Sequence, residues 1–338
     1  MDPVAPPDPV ALLRTLVDID STTGREGAVS RRLSADLRRR GWQVTEQPVS
    51  GDRFNILATL DPPAIVFSTH VDCVPPFFAS HLDGDLLFGR GACDAKGCVV
   101  TQIAAAERLR MGGHRCVGLL FVVGEERGSD GARAANALAS GSRYLVNGEP
   151  TDNRLGVATR GVYRVRLKAR GRASHSSYPD LGESAIEKLV DALVALRAID
   201  LPDDPVLGRT HYTVGLVSGG IAPNVVPPAA EAEVAFRTVG GLDRLKAALS
   251  SLEPLVAWEE IVDVPPVVMV DLDVPGFETA AFPYTTDIPF LDRWGQPLLL
   301  GAGSILVAHT DHEHVRIADL HRAVDQYVAL AAYLIGKE

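Results

Sequence analysis

His70, Asp72, Asp94, Glu125, Glu126, Glu149 and His309 are the side chains of this 338-residue chain whose types and spacing could do chemistry together. Each follows an apolar run. Ile65-Val66-Phe67 leads into Ser68-Thr69-His70-Val71-Asp72, and Leu86-Leu87-Phe88 into Gly89-Arg90-Gly91-Ala92-Cys93-Asp94-Ala95-Lys96-Gly97. Residues 117–123 lead into Gly124-Glu125-Glu126, residues 144–146 into Asn147-Gly148-Glu149-Pro150, and residues 305–307 into Ala308-His309-Thr310. Ligand sites in open α/β sheets lie at the carboxyl ends of strands. Two imidazoles with three carboxylates make a mixed nitrogen and oxygen set, which suits zinc or another divalent transition ion better than calcium.

The spacing suggests how the roles divide. His70 and Asp72 lie two apart at a predicted strand end, so both side chains share one side. A metal-bound histidine usually gives its second ring N–H to a carboxylate or carbonyl, which casts His70 as ligand and Asp72 as its orienting partner. Asp94 sits between Gly91 and Gly97, where the backbone can turn tightly, and a carboxylate has two oxygens with which to bridge two cations. With one bridge the set suffices for a two-metal centre, whose ions lie about 3.5–4 Å apart. Glu125 and Glu126 are adjacent, so one can bind metal while the other faces the substrate as a base. Taken singly, each has a plainer reading. Asp94 could cap the helix that follows, the Glu pair could be a solvated turn, and His312 or His314 could replace His309. Five groups at five predicted strand ends are harder to attribute to chance.

Composition narrows the classes. The net charge of -10 and isoelectric point of about 5.4 argue against a nucleic-acid or anionic-membrane partner. Arg38-Arg39-Arg40 reads as the cationic end of a helix. No apolar run approaches the roughly 18 residues of a membrane span, and Met1 to Pro7 has neither the basic nor the apolar region of a signal peptide. The four cysteines lack a disulfide or zinc-finger pattern, so a cytoplasmic location with reduced thiols is expected. No Gly-x-Ser-x-Gly elbow, phosphate loop or dinucleotide fingerprint occurs.

The elements that must position these residues alternate. Helices are predicted over residues 7–17, 26–40, 97–111, 130–140 and 317–335, and strands over 42–49, 54–60, 64–68, 115–123 and 144–146. Such alternation, with strands apolar on both faces, implies a largely parallel sheet covered by helices. Near Gly161 the pattern becomes strand, helix, strand, strand, helix, strand, the order of a small α+β sandwich. The chain therefore reads as a discontinuous α/β catalytic domain, residues 1–160 and 265–338, with residues 161–264 inserted.

The clusters, in this order and spacing, resemble the M20 metallopeptidase and deacylase family. That family includes acetylornithine deacetylase, succinyl-diaminopimelate desuccinylase and the hydrolases that release lysine or ornithine from carrier proteins. The resemblance covers nearly the whole chain. It implies a zinc-peptidase-like catalytic domain, an inserted lid and dimerisation domain, and two divalent ions, zinc with cobalt or manganese as alternatives. It assigns His70 and Glu149 to one ion, Glu126 and His309 to the other, and Asp94 as the bridge. Asp72 would orient His70, Glu125 would be the general base, and the Asp94–Ala95 peptide would be cis. In the insert, Arg172-Ala173-Ser174-His175-Ser176-Ser177 resembles the lid segment whose histidine polarises the scissile carbonyl. Asn224 lies in a substrate loop, Arg237 matches a carboxylate-gripping arginine, and Gly303 is expected to contact substrate. One departure stands out: relatives often read His-Thr-Pro-Asp-Glu-His, whereas this chain has His309-Thr310-Asp311-His312-Glu313-His314.

The reaction so implied is hydrolysis of an amide bond in an N-acyl amino acid, of the acetylornithine type, within arginine or lysine biosynthesis and in a homodimer. The alternatives are a dipeptidase or aminoacyl peptidase, a desuccinylase, a hydrolase of carrier-protein-linked substrates, and a non-catalytic relative that only binds. The last has no need to keep Glu125.

Overall fold

The computed structural model describes residues 5–139 and 141–337 and divides into two compact units. The first holds residues 5–157, 269–280 and 286–337; the second holds 158–268 and 281–285. Residues 1–4 of the N-terminal reading and Ser140 of the expected 130–140 helix lie outside the described residues.

Four parallel strands form the centre of the first unit: Val117–Val122, Ile65–His70, Tyr144–Asn147 and Gln296–Leu299. Arg53–Thr59 and then Gln43–Ser50 extend one side antiparallel, and Leu155–Thr159 pairs antiparallel with Gln296–Leu299 on the other. The two central strands are buried at every position. Their alternation explains why. Ile65, Phe67, Leu119 and Phe121 enter a core shared with the helices Pro9–Val17, Gly27–Arg39, Lys96–Met111 and Ile317–Ile335. Val66, Leu120 and Val122 enter a second core on the opposite face, with Ala132, Ala135, Leu291 and Trp294. Period-two side chains thus feed two cores at once.

Lys96–Met111 is buried almost all round, which is why its sequence carries little amphipathic signal. Asp94 does not cap this helix: the cap position is Ala95, and no side chain satisfies the first turn. Two further expectations differ. Gln296–Leu299 is a central strand that a short run beginning Gln-Pro does not announce. Residues 305–307 form no strand; the chain turns there, Val307 N–H donates to Ser304 O at 3.3 Å, and Leu306 is exposed. The apolar run before Asp94 belongs to a separate small sheet of His81–Asp83, Leu86–Phe88 and His314–Arg316.

The second unit is a four-stranded antiparallel sheet, in the order His211–Gly219, Ala229–Thr238, Gly161–Arg170, Ala257–Val264. Helices Ala185–Arg197 and Leu242–Ser250 cover one face, burying Tyr163, Val165, Leu167, Val234 and Phe236. Among the described residues no helix is long and apolar enough to cross a membrane.

Truncating a residue that fills the first core should cost far more than truncating an exposed one. Phe121→Ala is expected to destabilise the first unit by about 3–5 kcal/mol, and Leu82→Ala, exposed on the small sheet, by less than about 0.5 kcal/mol. Urea denaturation followed by tryptophan fluorescence measures both, since Trp294 lies in the first unit.

Candidate metal centre

Three of the four parallel strands, Ile65–His70, Val117–Val122 and Tyr144–Asn147, end at or run into a titratable side chain. His70 is the last residue of its strand, and Val71 N–H continues the ladder to Val122 O at 3.0 Å. The next strand over runs into Gly124, Glu125 and Glu126. Gly124 has φ +78°, and a Cβ there would collide with the Asp130 carboxylate and the Arg53 guanidinium, so only glycine makes this turn. Glu149 follows Tyr144–Asn147, and Thr69 Oγ1 donating to Gly148 O at 2.8 Å ties that loop to the His70 strand. His309 adopts φ +65°, a conformation rare for a residue with a side chain and one that collects at functional sites.

The side chains meet around Asp94. His70 Nε2 lies 3.0 Å from Asp94 Oδ1, and His309 Nε2 lies 3.2 Å from Asp94 Oδ2. His70 Nε2 is 3.9 Å from Glu149 Oε2, and His309 Nε2 is 3.1 Å from Glu126 Oε1. Two triads result, His70–Asp94–Glu149 and Asp94–Glu126–His309, each with ligand atoms within 4.8 Å of one another. Asp94 belongs to both, through different oxygens. The Asp94–Ala95 peptide is cis. His312 and His314 turn elsewhere: His312 Nδ1 lies 2.6 Å from Asp311 Oδ1, and the His314 ring packs on Phe88.

Charge bears out the fit to cations. Glu149 Oε1 is buried without a hydrogen-bond partner, an orphaned acceptor that a metal ion would satisfy. Burial pushes the Glu149 carboxyl well above the usual range, against the pull of His70 and with Asp94 adding repulsion. Burial also raises Glu125, opposed by His70 and reinforced by Glu149. Hydrogen bonds to Asp94 and then Glu126 lift His309 to about 10.

Asp72 lies against His70 as expected and does a second job besides. The ring N–H of His70 at Nδ1 meets the main-chain oxygen of Asp72 at 3.0 Å, while the carboxylate stands off at 3.4 Å. That carboxylate accepts from Thr23 Oγ1 at 2.8 Å and from the backbone N–H groups of Glu125 and Glu126 at 3.1 and 3.2 Å. It therefore holds the turn that carries both glutamates. Gly303 is buried, with φ +84°, and a Cβ there would meet Cys93 Sγ at 2.7 Å. In the second unit, an isolated bridge pairs His175 with Val225, and Ser176 N–H donates to Asn224 O at 3.0 Å. Ser177 N–H donates to His175 Nδ1 at 3.1 Å, which leaves the proton of the neutral ring on Nε2. Arg237 lies half-buried on the Ala229–Thr238 strand.

Sequence reasoning missed Glu313 and its partner Arg90. Both are fully buried and pair at 2.7 Å. The other Glu313 oxygen accepts the backbone N–H groups of Gly91, Cys93 and Asp94 at 3.0, 3.1 and 3.1 Å. One carboxylate, four residues beyond His309, thereby clamps the loop that presents Asp94. A glutamate in a polar stretch reads as solvated; the glycines around Arg90 were the only hint of a tight, buried loop. Asp287 was missed too. It is buried, and burial lifts its carboxyl to about 7.

The family model described as a peptidase dimerisation domain matches residues 157–258. A Schizosaccharomyces pombe protein named as peptidase M20 domain-containing is 36% identical over 336 residues, spanning 96% of this chain and 84% of its own. A probable carboxypeptidase of Aspergillus clavatus is 36% identical over 363 residues, spanning 94% and 80%. Among solved structures, a tripeptidase of Staphylococcus aureus superposes with a TM-score of 0.82 at 20% identity, over 95% of this chain and 96% of that one. A Bacillus subtilis protein described as a dinuclear metal binding peptidase does so at 0.74 and 16% identity, over 96% and 97%.

The Glu313 clamp makes a measurable demand on the centre. Calorimetric zinc titration of metal-free Glu313→Ala should show affinity about 10–100-fold below the parent, the usual penalty for losing an outer support of a ligand. Glu313→Gln keeps an oxygen for the three N–H donors and should recover part of it. Equal affinity in all three proteins would remove Glu313 from the centre.

Proposed function

The chain belongs to the M20 family of peptidases, and from that premise we propose that it hydrolyses the amide bond next to a free amino-acid carboxylate. The leaving group is then an amino acid released either from a peptide C-terminus or from an N-acyl group. The observation that carries this reading is Asp94, whose two oxygens face two separate His–Glu pairs, with Glu125 on the same turn as Glu126 and outside both pairs.

His70, Glu149, Glu126 and His309 would hold two divalent ions with Asp94 between them. When bound, such ions polarise an acyl carbonyl and acidify a water towards a pKa of about 7. Glu125 belongs to neither triad, so its carboxylate is free to take the proton of the attacking water and deliver it to the leaving amine. Its raised pKa brings the carboxyl closer to the pH at which a group both accepts and donates. Asp72 keeps Glu125 and Glu126 at fixed offset through their backbone N–H groups. On the insert, His175, with the proton of its neutral ring on Nε2, has Asn224 beside it, and the family resemblance assigns these two and Arg237 to the substrate, Arg237 to its carboxylate.

The names of the relatives favour a carboxypeptidase-type substrate; the N-acyl amino acid reading rests on the resemblance of the clusters to deacetylases. A dimer is supported by the family of the insert. Its edge strand His211–Gly219 exposes Leu216 and Val217, and the helix Ala185–Arg197 exposes Val190 and Val194.

Amine release by the zinc-loaded protein, with a chelator control, should be measured on dipeptides, N-acetylornithine, other N-acetyl amino acids and N-succinyl-diaminopimelate, and on the C-terminal amides of the dipeptides and N-acetyl amino acids. Chelator-sensitive turnover confined to substrates with a free α-carboxylate is expected; silence across the panel with both ions bound would sink the hydrolase reading. Glu125→Gln should retain two zinc ions and lose about 10²–10⁴-fold in kcat, since one group serves both proton transfers. Unchanged turnover would exclude Glu125 as the base. For the dimer, Leu216→Asp combined with Val217→Asp should halve the mass seen by light scattering, and an unchanged mass would place the interface elsewhere.

A further inference from the structure

The insert's sheet turns one face to its helices and leaves the other free of them. On the helix face Tyr212, Phe236 and Tyr163 lie in one cross-strand row, Tyr212 and Phe236 with ring centroids 5.5 Å apart. The next row, His211, Arg237, Val162 and Val264, projects from the opposite face, because side chains alternate along each strand. Further along this second face, cations are matched by acids. Arg166 pairs with Glu233 at 2.6 Å and with Glu259 at 3.2 Å, and Lys168 pairs with Glu259 at 2.7 Å.

Two arginines on this face have no such match: Arg164 is exposed to solvent, whereas Arg237 is half-buried. Among the described residues no carboxylate lies within ion-pair distance of its guanidinium, and burial alone pulls its pKa down. A half-buried cation without a counter-charge is a costly arrangement unless something arrives to pair with it. Its direct cross-strand neighbour is His211. That ring is held from behind by Arg160, which donates to Arg209 O at 2.8 Å, to Leu207 O, and to His211 Nδ1 at 2.8 Å. A guanidinium can only donate. His211 Nδ1 must therefore accept, and the proton of the neutral ring sits on Nε2. Burial and then the Arg160 charge, opposed by a hydrogen bond to the Arg209 backbone and reinforced by Arg237, hold the His211 pKa below its ordinary value.

We propose that Arg237 and the Nε2–H of His211 form a two-donor carboxylate receptor on this face, with Arg160 as the positioning residue that sets the histidine's tautomer. The inference rests on the reading of Arg237 given above and extends it to two residues that reading does not include. The chemistry selects one planar monoanion. A guanidinium matches a carboxylate through two parallel N–H bonds, and a neutral imidazole adds a third hydrogen bond without adding charge. The substrate class this favours is a free α-carboxylate at a peptide C-terminus or on an N-acyl amino acid. Amidated or esterified ends offer no charge for Arg237.

The test uses the full-length, metal-free chain, so that a carboxylate probe has no metal to bind. With ¹⁵N-labelled histidine and arginine side chains, NMR spectra are recorded during titration with acetate, and with acetamide as the uncharged control. His211 should show a protonated Nε2 and an unprotonated Nδ1. Acetate, and not acetamide, should shift His211 Nε2–H and Arg237 Nε–H along one saturation curve. His211→Ala should weaken acetate binding at Arg237 several-fold. Arg160→Met should leave His211 sampling both tautomers and weaken binding by a similar factor. His211 is exposed, so its loss does not threaten the fold. A proton found on Nδ1, or an Arg237 response unchanged in His211→Ala, overturns the inference while leaving Arg237 as a lone receptor. No acetate response at Arg237 overturns both.

Discussion

Asp94 offers one oxygen to His70 and the other to His309, and the first unit is arranged so that this one carboxylate can be shared. Asp72, Asp94, Glu126 and Glu149 all crowd the same strand ends, with only two imidazoles among them. In a medium of low effective dielectric, like charges this close repel strongly. The fold tolerates the crowding because cations belong there, and because every loop bearing an acid is tied down independently. Glu313 clamps the Asp94 loop through three N–H groups, and Asp72 clamps the Glu125–Glu126 turn through two.

Those clamps explain a division between packing and chemistry. Side chains of the central strands are spent on two apolar cores, leaving only the strand ends for polar work. Parallel strands bring their carboxyl ends to one edge, so side chains far apart in sequence, such as His70 and Glu149, become neighbours without strain in the sheet. The exceptions sit where no strand can help. His309 takes a left-handed backbone, and Gly124 has no room for a side chain. Both are sites where backbone conformation was bent to aim a functional group.

The insert is built on a different division. Its sheet has one apolar face and one charged face, and most of that charge is internally paired. An unpaired arginine next to a histidine of defined tautomer is a different kind of feature from a paired salt bridge. Exposed paired ions contribute about 0–1 kcal/mol and little specificity, whereas a half-buried guanidinium without a counter-charge keeps its donors available.

Much of this was legible in the sequence. Alternating elements announced the helix-covered sheet, and the polar clusters after apolar runs picked out every member of both triads, because strand period and composition are local properties. The open choice among His309, His312 and His314 closed only in three dimensions, as did the strand at Gln296–Leu299 and the lack of one at residues 305–307. Arg90 and Glu313 looked like solvated charges; a pair 223 residues apart in sequence is buried only once the Asp94 loop folds over it. Asp72 kept its place beside His70 and took on a second task, since a carboxylate's further partners depend on which N–H groups a distant turn presents. What the sequence by itself determined is the set of elements and the chemical types at their ends, because these follow from residues near one another. Which oxygen faces which donor, and which charges find partners, only the tertiary structure decided, because hydrogen bonds and burial are set by groups that the chain brings together from afar.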